Sequence, residues 1–135
     1  MNIAGVLLEL PDKRFVLQRR DSKAPASPGL LGFFGGKIEA GETALQAAAR
    51  ELSEETTIEV AKLELKKLAI YKIPEPQPDF AGPKIFNLFE AKIDNTDFDV
   101  LEGVGWEAHT EAELMKRKDL SPSVNYYFRN LRSAG

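Results

Sequence analysis

The chain has 135 residues, of which 43% are hydrophobic and 29% are charged, and its formal net charge is −3. This composition is ordinary for a globular domain, and the charge argues against a nucleic-acid polymer or an anionic membrane as the partner. The chain has no cysteine, which excludes disulfides, thiol catalysis and cysteine-ligated zinc. The apolar N-terminal run is too short for a secretion signal or a membrane span. We therefore expect one cytoplasmic domain over residues 1–135.

The first part of the chain predicts short strands separated by turns. Residues 2–9 and 14–19 read as strands on either side of the turn sequence PDKR, which predicts a hairpin. Two prolines and a glycine within residues 21–29 predict a loop. The apolar run LLGFF at 30–34 predicts a short strand, and GGKIEAGE at 35–42 predicts a glycine-rich loop.

A helix is predicted to begin at Thr43. Thr43 and Gln46 fit the T-x-x-Q capping box, and strong helix formers follow. On a helical projection, one narrow stripe is expected to contact the core; it consists of Leu45, Ala49, Leu52 and Thr56. A second face carries small side chains, which would leave room for something to lie against the helix; these are Ala44, Ala47 and Ala48.

The second half of the chain mixes strands and helices. Residues 58–73 are β-like, a proline-rich loop follows at 74–84, and strands are predicted at 85–93 and 104–109. Two closing helices are predicted at 110–117 and 123–133, the second N-capped by Ser121 or Ser123. The order of elements predicts an α/β or α+β fold, in which helices cover the faces of a mixed sheet.

Three carboxylates, Glu51, Glu54 and Glu55, are placed in the last turn of the helix that begins at Thr43. The helix dipole and mutual repulsion both disfavour them there, each by a few tenths of a kcal/mol to ~1 kcal/mol. A solvated acidic face could tolerate these penalties. A divalent cation bound among the three acids would instead reverse both effects, because hard cations prefer carboxylate oxygens.

The spacing of these acids distinguishes the two interpretations. The fixed positions are Gly36, Glu42, Arg50-Glu51-Leu52, Glu54-Glu55 and Ile58. This pattern resembles the Nudix box, G-x5-E-x7-R-E-U-x-E-E-x-G-U, where U is a bulky aliphatic residue. Thr57 stands where the box has its final glycine.

The resemblance to Nudix hydrolases extends over most of the chain, through VLQRR, GFFGGKIEAGET and LEGVGW. The glycine-rich segment is similar to the MutT-type branch, although Phe34 stands where that branch usually has proline. The resemblance implies a Nudix-type α/β/α sandwich. It also implies a Mg²⁺- or Mn²⁺-dependent enzyme that hydrolyses a nucleoside diphosphate linked to another group.

The resemblance also implies roles for individual residues. The metal ligands would be Gly36 through its carbonyl oxygen, Glu51, Glu54 and Glu55. Glu51 would act as a ligand or as the general base. Arg50, which matches a structural pair with Glu42, would orient the catalytic carboxylates Glu51 and Glu54. Glu102, in a loop before Trp106, would join the metal site or act as base, unless it is a surface turn residue.

Four residues are candidates for contacting a small-molecule nucleotide. Arg20 occupies a place where the MutT-type branch contacts its nucleotide, and Arg19 precedes it. Phe34 could stack on a base, although a core position suits it better, and Asn125 is the candidate for reading a base. His109, the only histidine, is expected to be a polar residue at a strand end.

Several alternatives stay open at this stage. A helix that ends on a left-handed residue would strain Thr57 by roughly 1–2 kcal/mol, unless the helix ends differently. The substrate could be an ordinary or oxidised nucleoside triphosphate, ADP-ribose or a nucleotide sugar. A non-catalytic nucleotide-binding domain would be expected to have lost a box acid, and an isoprenoid diphosphate isomerase would need a cysteine. A monomer and a homodimer both fit the sequence.

Overall fold

The computed structural model describes residues 1–24, 27–73 and 83–132. The strands within these ranges are β1 (Asn2–Glu9), β2 (Phe15–Arg19), β3 (Leu31–Gly32), β4 (Phe34–Lys37), β5 (Lys66–Lys72), β6 (Ile85–Lys92) and β7 (Gly105–His109). The helices are α1 (Ala44–Glu55), α2 (Glu111–Met115) and α3 (Pro122–Tyr126), with a 3₁₀ turn at Val60–Lys62 and a π-helical turn at Tyr127–Arg132.

The strands form one mixed sheet in the order β3–β2–β1–β6–β5. Strand β1 runs parallel to β6 and antiparallel to β2 and β4. The β1–β2 hairpin pairs only at its turn end, through Leu8 with Val16 and Glu9 with Phe15. Beyond that point β3 pairs with β2 and β4 pairs with β1. This splaying places Gly36 opposite Ala4, in the middle of the sheet.

The two faces of the sheet carry separate hydrophobic clusters. Leu7 and Leu17 belong to the cluster that includes α2, α3 and the π-helical turn. Val6 and Val16 belong to the cluster that includes α1, as expected when successive side chains of a strand alternate between faces. The prediction of a mixed sheet flanked by helices is confirmed.

Helix α1 begins where the sequence predicts. Thr43 caps it, since the Thr43 side chain accepts a hydrogen bond from the Gln46 amide at 3.1 Å and the Gln46 side chain accepts one from the Thr43 amide at 2.9 Å. The predicted core stripe holds for Leu52 and Thr56, which are buried, but is wrong for Leu45, which is 47% exposed. The buried residues of α1 are Ala47, Ala48, Leu52 and Glu55. The sheet itself, at β4 and β1, lies against the small side chains.

Other boundaries differ from the sequence prediction. Residues 35–37 belong to β4 rather than to a loop, because they pair with β1. Within 58–73 only Lys66–Lys72 forms a strand. The helices after β7 are capped by Thr110 and by Ser121, and Ser121 is one of the two caps predicted for the second helix. Most of the predicted proline-rich loop, 74–82, lies outside the described residues, as do residues 25–26 of the earlier loop.

In the described part of the chain, every helix falls short of the length and apolar character needed to cross a membrane.

The packing of α1 predicts opposite outcomes for its two leucines. Leu52→Ala removes a fully buried side chain and should lower the free energy of unfolding by about 2–5 kcal/mol. Leu45→Ala changes an exposed side chain and should stay within about 0.5 kcal/mol of the wild type. Urea unfolding of both variants gives the comparison. Equal losses would show that the assignment of the buried face is wrong.

Candidate active site

The two glycines of β4 each permit one close approach, Gly35 to the backbone of β1 and Gly36 to a side chain of α1. A Cβ atom at Gly35 would come within 2.2 Å of the Ala4 carbonyl oxygen, and one at Gly36 within 2.5 Å of the Glu51 carboxyl group. The Glu51 carboxyl therefore occupies the space above the Gly36 backbone, where any side chain would exclude it. Such close backbone approach is a reason for glycine in a strand.

Arg50 holds the box segments together. Its Nε donates to Glu42 Oε2 at 2.7 Å and its Nη2 to Glu42 Oε1 at 3.0 Å, in a bidentate pair. Its Nη1 donates to Glu51 Oε1 at 2.9 Å, and Nη2 also reaches the Lys37 carbonyl oxygen at 3.1 Å. The hydrogen bond from Arg50 is the main reason that the pKa of Glu42 is lowered. Arg50 thus orients the carboxylate that lies over Gly36.

Glu54 is placed differently from the other two acids. Its side chain is 57% exposed and lies 3.3 Å from Arg50 Nη1. Among the described residues, no group of three His, Cys, Asp or Glu side chains is arranged to hold a metal ion. The structure brings Glu51 and Glu55 together and leaves Glu54 at the rim of the site.

Glu55 is an acid inside the protein core. It is 2% exposed, and its Oε2 has no hydrogen-bond partner among the described residues. Burial raises the pKa of Glu55 to about 9, helped by the hydrogen bond it shares with Glu51 and by the charges of Glu51 and Glu102, against a hydrogen bond from the Gly35 backbone. An unpartnered buried oxygen beside a second carboxyl, over a glycine strand, fits a hard divalent cation.

The segment that carries Glu102 lies next to the C-terminal end of α1, beside Glu55. The Leu101 amide donates to the Glu55 carbonyl oxygen at 2.7 Å, and Gln18 Nε2 donates to the Glu102 carbonyl oxygen at 2.9 Å. Sequence reasoning did not single out Gln18, which is 2% exposed. A polar residue within the apolar strand FVLQR is the signal that could have identified it.

A cavity of about 320 Å³ opens beside Glu102. Its lining residues are Gln18, Arg20, Asp21, Lys23, Ala24, Glu102 and Gly103. Arg20, the predicted nucleotide contact, therefore shares a cavity with the loop acid. Two basic side chains, Arg20 and Lys23, and two acidic ones, Asp21 and Glu102, line it, which suits a ligand that carries charged groups.

The structure places the other predicted substrate residues elsewhere. Arg19 Nη2 lies 2.6 Å from Glu107 and Nη1 lies 3.0 Å from Asp119. Asn125 is exposed on α3, across the sheet from α1, and accepts a hydrogen bond from Arg129. Phe34 is 0% exposed in the cluster that includes α1.

His109 ends β7, as expected, and its Nε2 lies 2.9 Å from Glu107 Oε1.

Comparison with known proteins settles the family. A sequence model of the NUDIX domain matches residues 1–131. The chain belongs to the NUDIX domain family. The prediction of the Nudix family is confirmed. Members of the family act on small-molecule nucleotides and generally use divalent metal ions.

Solved structures with the same fold cover almost the whole Nudix chain. The MutT protein from Methanosarcina mazei Go1 is 17% identical, with 99% of this chain and 94% of that chain covered and a TM-score of 0.83. The E. coli dihydroneopterin triphosphate pyrophosphohydrolase is 21% identical, with 99% and 96% covered and a TM-score of 0.76. The NUDIX domain of Shewanella oneidensis NrtR, complexed with ADP ribose, is 18% identical, with 99% and 87% covered and a TM-score of 0.75. At these identities the likeness shows the shared fold.

One curated protein also matches part of the sequence. An octanoyltransferase from Myxococcus xanthus is 37% identical over 78 residues, which cover 58% of this chain and 21% of that protein. The match therefore spans about a fifth of the relative's length.

The raised pKa of Glu55 predicts how stability depends on pH in the metal-free protein. The folded state retains a proton up to about pH 9, whereas the ordinary pKa is 4.5. The contribution of Glu55 is fully present below pH 4.5 and is lost as pH rises towards 9. The maximum slope for one group is about 1.4 kcal/mol per pH unit. Glu55→Gln should flatten this decline, while the exposed control Glu59→Gln should leave it unchanged.

Urea unfolding in chelator between pH 5 and pH 9 measures this effect. Parallel stability profiles for the wild type and Glu55→Gln would contradict the assignment of a buried, protonated Glu55.

The bidentate contact of Arg50 predicts that lysine cannot replace it. A lysine offers a single point charge in place of the planar fork, so Arg50→Lys should cost about 1–3 kcal/mol of stability. Arg14→Lys is the matched control, because Arg14 forms an exposed pair with Asp12 and should change stability by less than about 0.5 kcal/mol. If both variants unfold at the same urea concentration, the Arg50 network has no structural importance.

Proposed function

We propose that this chain is a Mg²⁺- or Mn²⁺-dependent pyrophosphohydrolase that cleaves a phosphoanhydride bond in a nucleoside diphosphate linked to another group. One observation carries the proposal: the Glu51 carboxyl lies over the Gly36 backbone beside the buried Glu55, whose Oε2 has no hydrogen-bond partner among the described residues. Two acids in this arrangement are costly without a cation. We further propose a single cytoplasmic domain that acts as a monomer or a homodimer.

The residues that would hold the ion are Glu51, Glu55 and the carbonyl oxygen of Gly36, with Glu54 at the rim. When bound, the ion neutralises charge on the pyrophosphate and makes a coordinated water more acidic. Side chains of the protein would orient the carboxylates, accept the proton from water and contact the phosphates. Arg50 orients the Glu51 carboxylate through its 2.9 Å hydrogen bond.

Glu102 and the cavity beside it complete the proposed mechanism. Glu102 or Glu51 accepts a proton from the attacking water, and both carboxylates lie close enough to Glu55 to influence its pKa. Arg20 and Lys23 line the cavity next to Glu102 and would contact the substrate's phosphates, as cationic side chains do at phosphoryl-transfer sites. Arg19 would act by fixing the strand end through Glu107 and Asp119 rather than by touching substrate.

A nucleoside triphosphate, ordinary or oxidised such as 8-oxo-dGTP, is the first candidate substrate. The segment GGKIEAGET and the position of Arg20 in the cavity support it. ADP-ribose or a nucleotide sugar is the second candidate, and the structural similarity to a NUDIX domain complexed with ADP ribose supports that choice. A non-catalytic nucleotide-binding role is disfavoured because all the box acids are retained.

Product identification separates the candidate substrates. The purified chain is incubated with Mg²⁺ or Mn²⁺ and with each of three substrates: a triphosphate, ADP-ribose and a nucleotide sugar. We expect a nucleoside monophosphate and pyrophosphate from the triphosphate, with kcat/KM of roughly 10⁴ M⁻¹s⁻¹ or more. Turnover restricted to ADP-ribose or a nucleotide sugar would support the second candidate. No turnover of any nucleotide would overturn the proposed activity.

Metal binding is tested separately from turnover. Millimolar Mn²⁺ should raise the melting temperature of the wild type, because a ligand that binds the folded state stabilises it. Glu55→Gln should reduce the shift strongly, whereas Glu59→Gln, on an exposed pair with Lys62, should keep it. Equal Mn²⁺ shifts in the wild type and Glu55→Gln would contradict the proposed metal site.

Glu54→Gln should lower turnover by orders of magnitude and leave the metal-free stability equal or slightly higher.

A further inference from the structure

Helix α1 ends without the left-handed residue that a Nudix box glycine would provide. The chain leaves the helix at Thr56 in an extended conformation, with φ −140° and ψ 166°, and the Thr56 side chain donates to the Leu52 carbonyl oxygen at 2.8 Å. Among the described non-glycine residues, positive φ occurs at Lys13 and Ser27. Thr57 is therefore unstrained, and its side chain is available for another purpose.

The backbone amide and the side-chain hydroxyl of Thr57 both form hydrogen bonds with Asp99. The Thr57 amide donates to the Asp99 carbonyl oxygen at 3.0 Å, and the Asp99 amide donates to Thr57 Oγ1 at 2.8 Å. The neighbouring residues extend this contact, since Thr56 and Val100 form an antiparallel bridge. A glycine at position 57 would keep the first of these hydrogen bonds and lose the second.

The segment that Thr57 contacts is the one that carries Glu102. We refer to residues 99–104 as the Glu102 loop. Its far end is fixed to β2, because the Val104 amide donates to the Arg19 carbonyl oxygen at 2.9 Å. Leu101 is 61% exposed and Val104 is 70% exposed, whereas Val100 is partly buried against the cluster that includes α1. The loop is also held between its ends, by the hydrogen bonds of the Leu101 amide and the Glu102 carbonyl oxygen described above. The Thr57 hydroxyl is the contact that fixes its beginning.

We propose that Thr57 is a positioning residue, whose hydroxyl holds the Glu102 loop so that Glu102 stays beside the Glu51–Glu55 pair. The proposal rests on the proposed function, because it assigns Glu102 a part in the reaction. The Thr57 hydrogen bonds described above go to the Asp99 backbone, and Thr57 is not among the residues that line the cavity, so it acts through Asp99. At the position where the Nudix box has a conformationally free glycine, this chain has a threonine whose hydroxyl accepts a hydrogen bond from the Asp99 amide.

Three substitutions isolate the hydroxyl. Thr57→Val keeps the β-branched shape and removes only the hydrogen-bonding oxygen, Thr57→Ser keeps the oxygen, and Thr57→Gly restores the residue of the Nudix box. We expect kcat to fall roughly tenfold to hundredfold in the valine and glycine variants with little change in KM, because small displacements of a reacting group cost this much. The serine variant should keep most of the activity.

A double-mutant comparison shows whether Thr57 acts through Glu102. If it does, Thr57→Val should cause no further loss of kcat in a Glu102→Gln background, since coupled residues are not additive. An equal fold loss in both backgrounds would overturn the proposal, as would wild-type activity in Thr57→Val. If the valine variant does not fold, the comparison of serine with glycine decides in the same way.

Hydrogen exchange tests the tether without any turnover. The Asp99 amide should exchange faster in Thr57→Val and Thr57→Gly than in the wild type, and Thr57→Ser should retain the protection. Unchanged exchange at Asp99 would overturn the proposal. If the wild type hydrolyses none of the nucleotides tested, the proposed function fails, and the exchange result still reports whether Thr57 holds the loop.

Discussion

The close contact between helix α1 and strand β4 is the constraint on which the site depends. Small residues lie on both elements: Ala47 and Ala48 are fully buried on the helix, and Gly36 on the strand leaves room for the Glu51 carboxyl group. This contact sets the Glu51 carboxyl on the strand backbone and removes Glu55 from water. Because two carboxyl groups share this dry space, the electrostatics of the site follow from packing rather than from the helix dipole alone.

The site is consequently an unfavourable element within an otherwise well-packed domain. The hydrophobic cluster around Leu52, and the network from Arg50 to Glu42, stabilise α1 in spite of the buried acid. A cation bound between the two carboxyl groups, as proposed above, would replace their mutual repulsion by attraction. Proteins commonly tolerate such local strain at sites where binding relieves it.

The sequence predicted where helix α1 lies along the chain better than it predicted which of its side chains are buried. The spacing of the box and the Thr43–Gln46 cap locate α1 because both are local patterns along the chain. The helical projection selected Leu45 as a core residue because it ranks residues by hydrophobicity, whereas the sheet approaches the alanines by virtue of their size. Gln18 donates a hydrogen bond to Glu102, which is 84 residues away in sequence. Arg19 donates one to Glu107, at a separation of 88 residues. Contacts of that range have no local signature.

The parallel pairing of β1 with β6 has a consequence for how the domain is assembled. The register runs from Asn2 with Ile85 to Glu9 with Lys92, so the central strand lacks its partner on one side until most of the chain has been made. Helix α1 and the whole acidic segment leave the ribosome earlier. Long-range parallel pairing is slow compared with helix formation. The Glu102 loop is made later still, so the hydrogen bond from the Leu101 amide to the Glu55 carbonyl oxygen forms only after the chain of β6 has been synthesised.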